Sequence, residues 1–133
     1  MGLTNIFRIA ASSMGAQSVR LSTVASNLAN ANATSSTATG AYRARMPVFQ
    51  TVLDQQGGAG VEVSNIVEST APAPRRYAPD DPQADAQGYV YTANVNPIDQ
   101  MVNMISASRS YQNSVQTLNT AKQLMVDTLS LGQ

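Results

Sequence analysis

The 133 residues fit one domain, or one elongated chain with a small insert. Eight basic and eight acidic residues cancel, so the chain has no electrostatic footprint for nucleic acid or an anionic membrane surface. With no cysteine and no histidine, it lacks thiol nucleophiles, histidine–metal sites and the usual general base near neutral pH.

At the N-terminus, Leu3, Phe7, Ala10, Met14, Gln17, Leu21, Val24, Leu28 and Ala31 recur at steps of four and three, with one polar break at Gln17. This spacing predicts an amphipathic helix over 3–31 with a narrow stripe, the kind that docks on another helix. Arg8, Ser12, Arg20, Ser22 and Ser26 fall on the opposite face. Gly15 sits mid-helix, where glycine costs roughly 1 kcal/mol against alanine. The run Asn27-Leu28-Ala29-Asn30-Ala31-Asn32 ends the helix, because asparagine is a poor helix former and a good terminator. Two readings of these asparagines stay open: a helix terminus alone, or an interface whose amides bond backbone groups of neighbouring subunits. No signal-peptide core is expected here, and no apolar run exceeds three residues, which excludes a transmembrane helix.

Residues 33–40 are polar and low in complexity, and read as a flexible loop. The following region has a β character. Val48, Phe49, Val52 and Leu53 sit in a strand that Pro47 confines to an edge or a bulge. A turn at 55–60 leads to Val61–Val67, which alternates like a half-buried strand at its start, so the two strands predict a hairpin with a long loop. Ala71-Pro72-Ala73-Pro74 is a stiff extended linker, and Arg75-Arg76-Tyr77 leads into a turn at Pro79-Asp80-Asp81-Pro82. Gly88–Tyr91 is a last short strand. With few large apolar groups, this insert needs the helices or neighbouring copies to stay ordered.

The second helix begins at Pro97, with Asn96 as its cap and Asp99 facing the helix dipole. Met101, Met104 with Ile105, Ser108, Tyr111, Val115, Leu118, Lys122, Met125 and Leu129 form a heptad ladder to the chain end. At ~1.5 Å per residue it would be roughly 50 Å long. Val102, Ile105, Leu124, Val126 and Leu131 lie off the main stripe and call for further helices from other subunits. The expected fold is α+β. Long N- and C-terminal helices (1–33 and 97–133) pair as a coiled-coil-like helical hairpin around a small β-rich, loop-rich insert (34–96).

Candidate chemistry is thin. Asp80, Asp81 and Asp85 lack the alternating oxygen ligands of a calcium loop and read as a solvated turn. Gly57–Gly60 has no Lys-Ser or Lys-Thr after it, so it is a hairpin loop rather than a phosphate cradle. Arg75-Arg76 reads as a solvated or interface patch. A Ser–Lys hydrolase would have to use Lys122, the only lysine, whose heptad setting suits a snorkelling interface residue instead. No catalytic, cofactor or metal site is expected.

Several stretches carry a resemblance. They are Ser26-Asn27-Leu28-Ala29-Asn30 followed by Tyr42-Arg43-Ala44, then Asp85–Val90 leading to Asn94-Val95-Asn96. The Met101–Gln112 run, Leu118–Lys122 and Leu129–Gln133 complete the set. In these residues the chain resembles the flagellar basal-body rod proteins, and within them the short proximal-rod members; the 33–40 loop departs from the pattern. The resemblance implies a structural, non-enzymatic axial subunit without cofactors, in a rod spanning the periplasm and helping to transmit torque. It implies export by the flagellar type III apparatus without a cleaved signal peptide. The implied partners are copies of itself, other rod proteins and the basal-body components around them, with no nucleic acid and no membrane insertion. Expected subunit contacts are Leu3, Phe7, Met14, Leu21, Val24, Asn27, Leu28 and Asn30 on the first helix. On the second they are Met101, Met104, Ile105, Tyr111, Val115, Leu118, Met125 and Leu129. Other readings are another rod or hook component of the same family, or a soluble helical adaptor that closes as a dimer.

Overall fold

A computed structural model of the chain describes residues 3–53 and 58–131, apart from the Leu3 side chain. Helix α1 runs Leu3–Ala29 and helix α2 runs Pro97–Leu131. The start of α2 follows its sequence: the Ile98 N–H donates to Asn96 Oδ1 at 3.0 Å, Pro97 opens the helix and Asp99 lies in the first turn. The end of α1 is a polar turn. Asn30 Nδ2 donates to the Ser26 carbonyl at 2.8 Å, and the Ala31 and Ala33 N–H groups close onto the Leu28 and Asn30 carbonyls. These bonds satisfy carbonyls that the helix end would otherwise leave open.

The helices lie antiparallel, as expected. Ser13 Oγ meets Ser114 Oγ at 3.0 Å, Arg20 Nη2 donates to Asn103 Oδ1 at 2.9 Å, and Asn27 Nδ2 donates to Gln100 Oε1 at 3.0 Å. The seam is made of smaller residues than the periodicity suggested. Its fully covered positions include Ala10, Ala107 and Ala121. Small side chains let the two backbones approach, and that pushes larger neighbours to the flanks. Phe7, Met14, Leu21 and Leu28 on α1, and Met104, Tyr111, Leu118 and Met125 on α2, are half-buried. Each row has seven-residue spacing and keeps one phase on its helix.

Strands β1 (Thr34–Ser35), β2 (Arg45–Leu53), β3 (Ala59–Glu68), β4 (Arg75–Tyr77) and β5 (Tyr89–Thr92) form two sheets. β2 and β3 make the expected antiparallel hairpin, with Thr51 opposite Val61 and a register slip at Val48/Phe49 beside Pro47. A two-stranded sheet leaves β2 with a free edge, which is where proline is tolerated. The hairpin rests on α1, where the Val61 N–H donates to Ser12 Oγ at 3.2 Å. Part of the expected turn, 55–57, lies outside the described residues.

The second sheet has the order β1-β5-β4 and is antiparallel throughout. Two of its strands differ from the sequence reading, which makes 33–40 a loop and Arg75–Tyr77 an approach to a turn. Strands of two and three residues are too short to show a period, and both exist because β5 pairs with them. Val90, central in β5, is fully buried. The turn before β5 needs glycine: Gly88 has φ +79°, and a Cβ there would lie 2.9 Å from the Tyr77 ring. Asp85 Oδ1 accepts from the Tyr89 and Gln87 N–H groups at 2.9 Å each. The Tyr89 hydrogen bond first, then that from Gln87 and the charge of Arg75, hold the Asp85 carboxyl below its ordinary value.

Candidate assembly interface

The asparagine motif that ends α1 is turned inward. Asn27 is 1% exposed. Its Nδ2 donates to the Arg45 carbonyl at 2.8 Å and to Gln100 Oε1 at 3.0 Å. Its Oδ1 accepts from the Arg45 N–H at 2.9 Å and from the Tyr42 hydroxyl at 3.0 Å. Two donated and two accepted bonds use the whole amide. One side chain thus ties α1, the start of β2 and the start of α2 together. Tyr42, whose proton is committed to Asn27, sits 3.2 Å from Ser26 Oγ, and Arg45 Cζ lies 5.8 Å from the Tyr42 ring centre. Asn30 Nδ2 donates one bond, to the Ser26 carbonyl of its own helix. The Asn27 amide is thus fully used within the chain, whereas half-buried Asn30 commits one amide bond to its own helix.

The apolar positions divide into three groups. Val24 is buried inside the chain. Phe7, Met14, Leu21, Leu28, Met104, Tyr111, Val115, Leu118 and Met125 are half-covered, flanking the helix seam. Met101, Ile105 and Leu129 are exposed, as are the off-stripe residues Val102, Leu124, Val126 and Leu131. Sequence reasoning did not single out the exposed apolar residues Ile6 and Ile9 on α1, Ile98 on α2 and Met46 on the hairpin, and Val48 and Val67, which it placed in strands, are exposed as well. It also missed that Ala107, Ser114 and Ala121 form the seam of α2. Their seven-residue spacing was the available signal, but small residues carry little weight in a hydrophobic period.

The described residues hold no group of three or more acidic side chains placed to bind a metal, and no helix among them is long and apolar enough to cross a membrane. What the surface offers is apolar helix area. Comparison with known proteins gives that surface a context. The family model described as the flagella basal body rod protein matches residues 7–35, and that of the C-terminal part of the flagellar basal body rod FlgEFG proteins matches residues 86–131. Over the full length of both chains, this chain is 48% identical to the flagellar basal-body rod protein FlgC of Salmonella typhimurium and 50% identical to that of Escherichia coli O157:H7. It is 34% identical to the Bacillus subtilis FlgC, across 94% of this chain and 95% of that one. The chain belongs to the FlgC family of flagellar basal-body rod proteins. Of the two matched segments, 7–35 takes in most of α1, the Asn27 centre and β1, while 86–131 takes in β5 and all of α2. The rod-protein models thus coincide with the two elements that build the helix seam in this FlgC-family chain.

Proposed function

We propose that the chain is a structural subunit of the bacterial flagellar basal-body rod, built in axially through its terminal helices and helping to transmit torque through the envelope. The observation that carries this reading is surplus surface. The chain exposes 8788 Å², whereas a compact protein of its 14.0 kDa mass exposes about 6,700 Å². The excess, on the order of 2,000 Å², is the size of a permanent protein–protein interface. Exposed apolar side chains of α2, among them Ile98, Met101, Val102, Ile105, Leu129 and Leu131, contribute to it, and the half-covered rows of both helices add to it.

In this reading the segments 1–33 and 97–133, with helices α1 and α2, form the axial layer, and the insert 34–96 lies further out. The subunit contacts are the flanking rows with Val115, and the exposed Met101, Ile105 and Leu129. Asn27 and Asn30 shape that surface from within. Partners are copies of itself, the other rod proteins and the surrounding basal-body components. The chain reaches the periplasmic rod through the flagellar type III apparatus and has no enzymatic role or cofactor.

Motility tests the reading. Leu118→Asp places a charge in the half-covered row without touching the Ala107–Ser114–Ala121 seam. The expected outcome is a chain with native helical circular dichroism that gives non-motile cells without complete rods. Normal swimming, with the variant present in basal bodies, overturns the assignment of this row to the interface. Tyr111→Asp repeats the test should Leu118→Asp not fold.

A further inference from the structure

Two apolar features of α2 cannot meet within one chain. The first is a ridge at the beginning of the helix. Ile98, Met101, Val102 and Ile105 follow the spacing i, i+3, i+4, i+7 and are 53–70% exposed. The ridge faces away from the seam, and among the described residues α1 is the one element packed on α2. The second is a groove between the helices, beyond the hairpin, toward the other end of α2. Two cavities of about 240 and 270 Å³ adjoin there, with Ile6 and Thr117 lining both. Ile9 and Leu124 stand at the groove's margins, and Ala10 and Ala121 lie in its floor.

We propose that the ridge of one copy seats in the groove of the next, so that subunits join head to tail. The proposal rests on the rod-subunit reading and names the partner and the faces. The dimensions agree: the ridge is about 10 Å long and the α2 side of the groove, Asn113–Leu124, about 16 Å. The chemistry agrees as well, since the ridge is aliphatic and no charged side chain lines the groove. A second copy is the occupant because the chain itself carries both halves. Ridge against ridge would close a two-fold dimer and leave the groove empty. Ridge in groove leaves one free ridge and one free groove after every addition, which is the property of an open, heterologous assembly. Four part-covered side chains offer less than the ~800 Å² per partner of a stable pair. This contact therefore acts together with others in the rod and does not hold a dimer in dilute solution.

The absence of native cysteine makes the test clean. Ile105→Cys is combined with Thr117→Cys, or with Thr120→Cys to cover register, and basal bodies isolated from cells carrying the variant are oxidised with copper phenanthroline. The paired positions lie roughly 18–22 Å apart on one helix, far beyond the ~7 Å that a disulfide spans, so no bond forms within a chain. The expected result is a ladder of multiples of the chain mass from the double variants, and monomer alone from each single variant. Three results overturn the proposal: basal bodies that contain either double variant but give no ladder from both, dimers from Ile105→Cys alone, or a bond from Ile105→Cys to a different protein. Failure of the rod reading is seen separately, as absence of the unsubstituted chain from purified basal bodies.

Discussion

At Asn27 four hydrogen bonds converge on a side chain that is all but sealed from solvent. Removing the amide leaves a backbone N–H, a backbone carbonyl and Gln100 to find new partners in a buried place. Asn27→Ala is therefore expected to cost about 2–4 kcal/mol, read as a fall in the urea midpoint. Asn27→Asp is sharper: it keeps both acceptor bonds but sets a carboxylate oxygen against the Arg45 carbonyl and Gln100 Oε1, so it should destabilise at neutral pH despite its matching shape. A variant as stable as the parent would remove Asn27 as the centre of the junction. The motif was legible in the sequence, but its role was not. Tyr42, Arg45 and Gln100 are 15, 18 and 73 residues away, and only the fold brings them to one point. Asp85 offers a second residue-scale test. Its carboxyl is lowered in the folded chain, so its contribution is present above the unfolded value near 3.8 and is lost as pH falls through the lower folded value. Asp85→Asn keeps an acceptor oxygen and cannot titrate. Its melting temperature should fall less than the parent's between about pH 4 and pH 2.

The helices show how far a period can be read. Steps of three and four predicted two helices, and the cap at Asn96 predicted the start of the second, because capping and phase are local properties. They did not say which residues of a broad stripe form the contact. That depends on the distance between the axes, and the small residues Ala10, Ala107 and Ala121 make it short. Ala107 is 0% exposed, so Ala107→Leu must force the helices apart, at an expected cost of about 1–3 kcal/mol in thermal or urea unfolding. Little change would mean that the seam is loose. Gly15, on α1, has the opposite consequence. A Cβ added there meets nothing within 4 Å. Gly15→Ala should stabilise the free chain by about 0.5–1 kcal/mol, visible as a rise of a few degrees in the melting temperature. The short strands β1 and β4 escaped the sequence for a related reason: each depends on β5 and has no pattern of its own.

For the whole molecule, the decisive contrast is between a long pair of helices and a small core. Among the described residues, the buried apolar ones are Ala10, Ala16, Val24, Ala41, Val90, Ala93, Ala107 and Ala121, of which all but the two valines are alanine. Burial of such small groups gives limited stabilisation, while fixing each residue's backbone costs about 1–2 kcal/mol. The balance is poorest where α2 outruns its partner. In the antiparallel register set by Ser13–Ser114, α1 begins opposite the Leu124 region, so the last turns of α2 project past it. Val126, Leu129 and Leu131 are exposed there, Leu131 at 88%. A helix end with no packed face unfolds locally at little cost. Amide exchange at 126–131 in the purified chain should therefore approach that of an unstructured peptide, while amides around Ala107 stay protected. In isolated basal bodies the same 126–131 amides should become protected, because neighbours cover the apolar face. Equal protection of both regions in the free chain would show that α2 is stable to its end without partners, and coupling of its last turns to assembly would then be excluded.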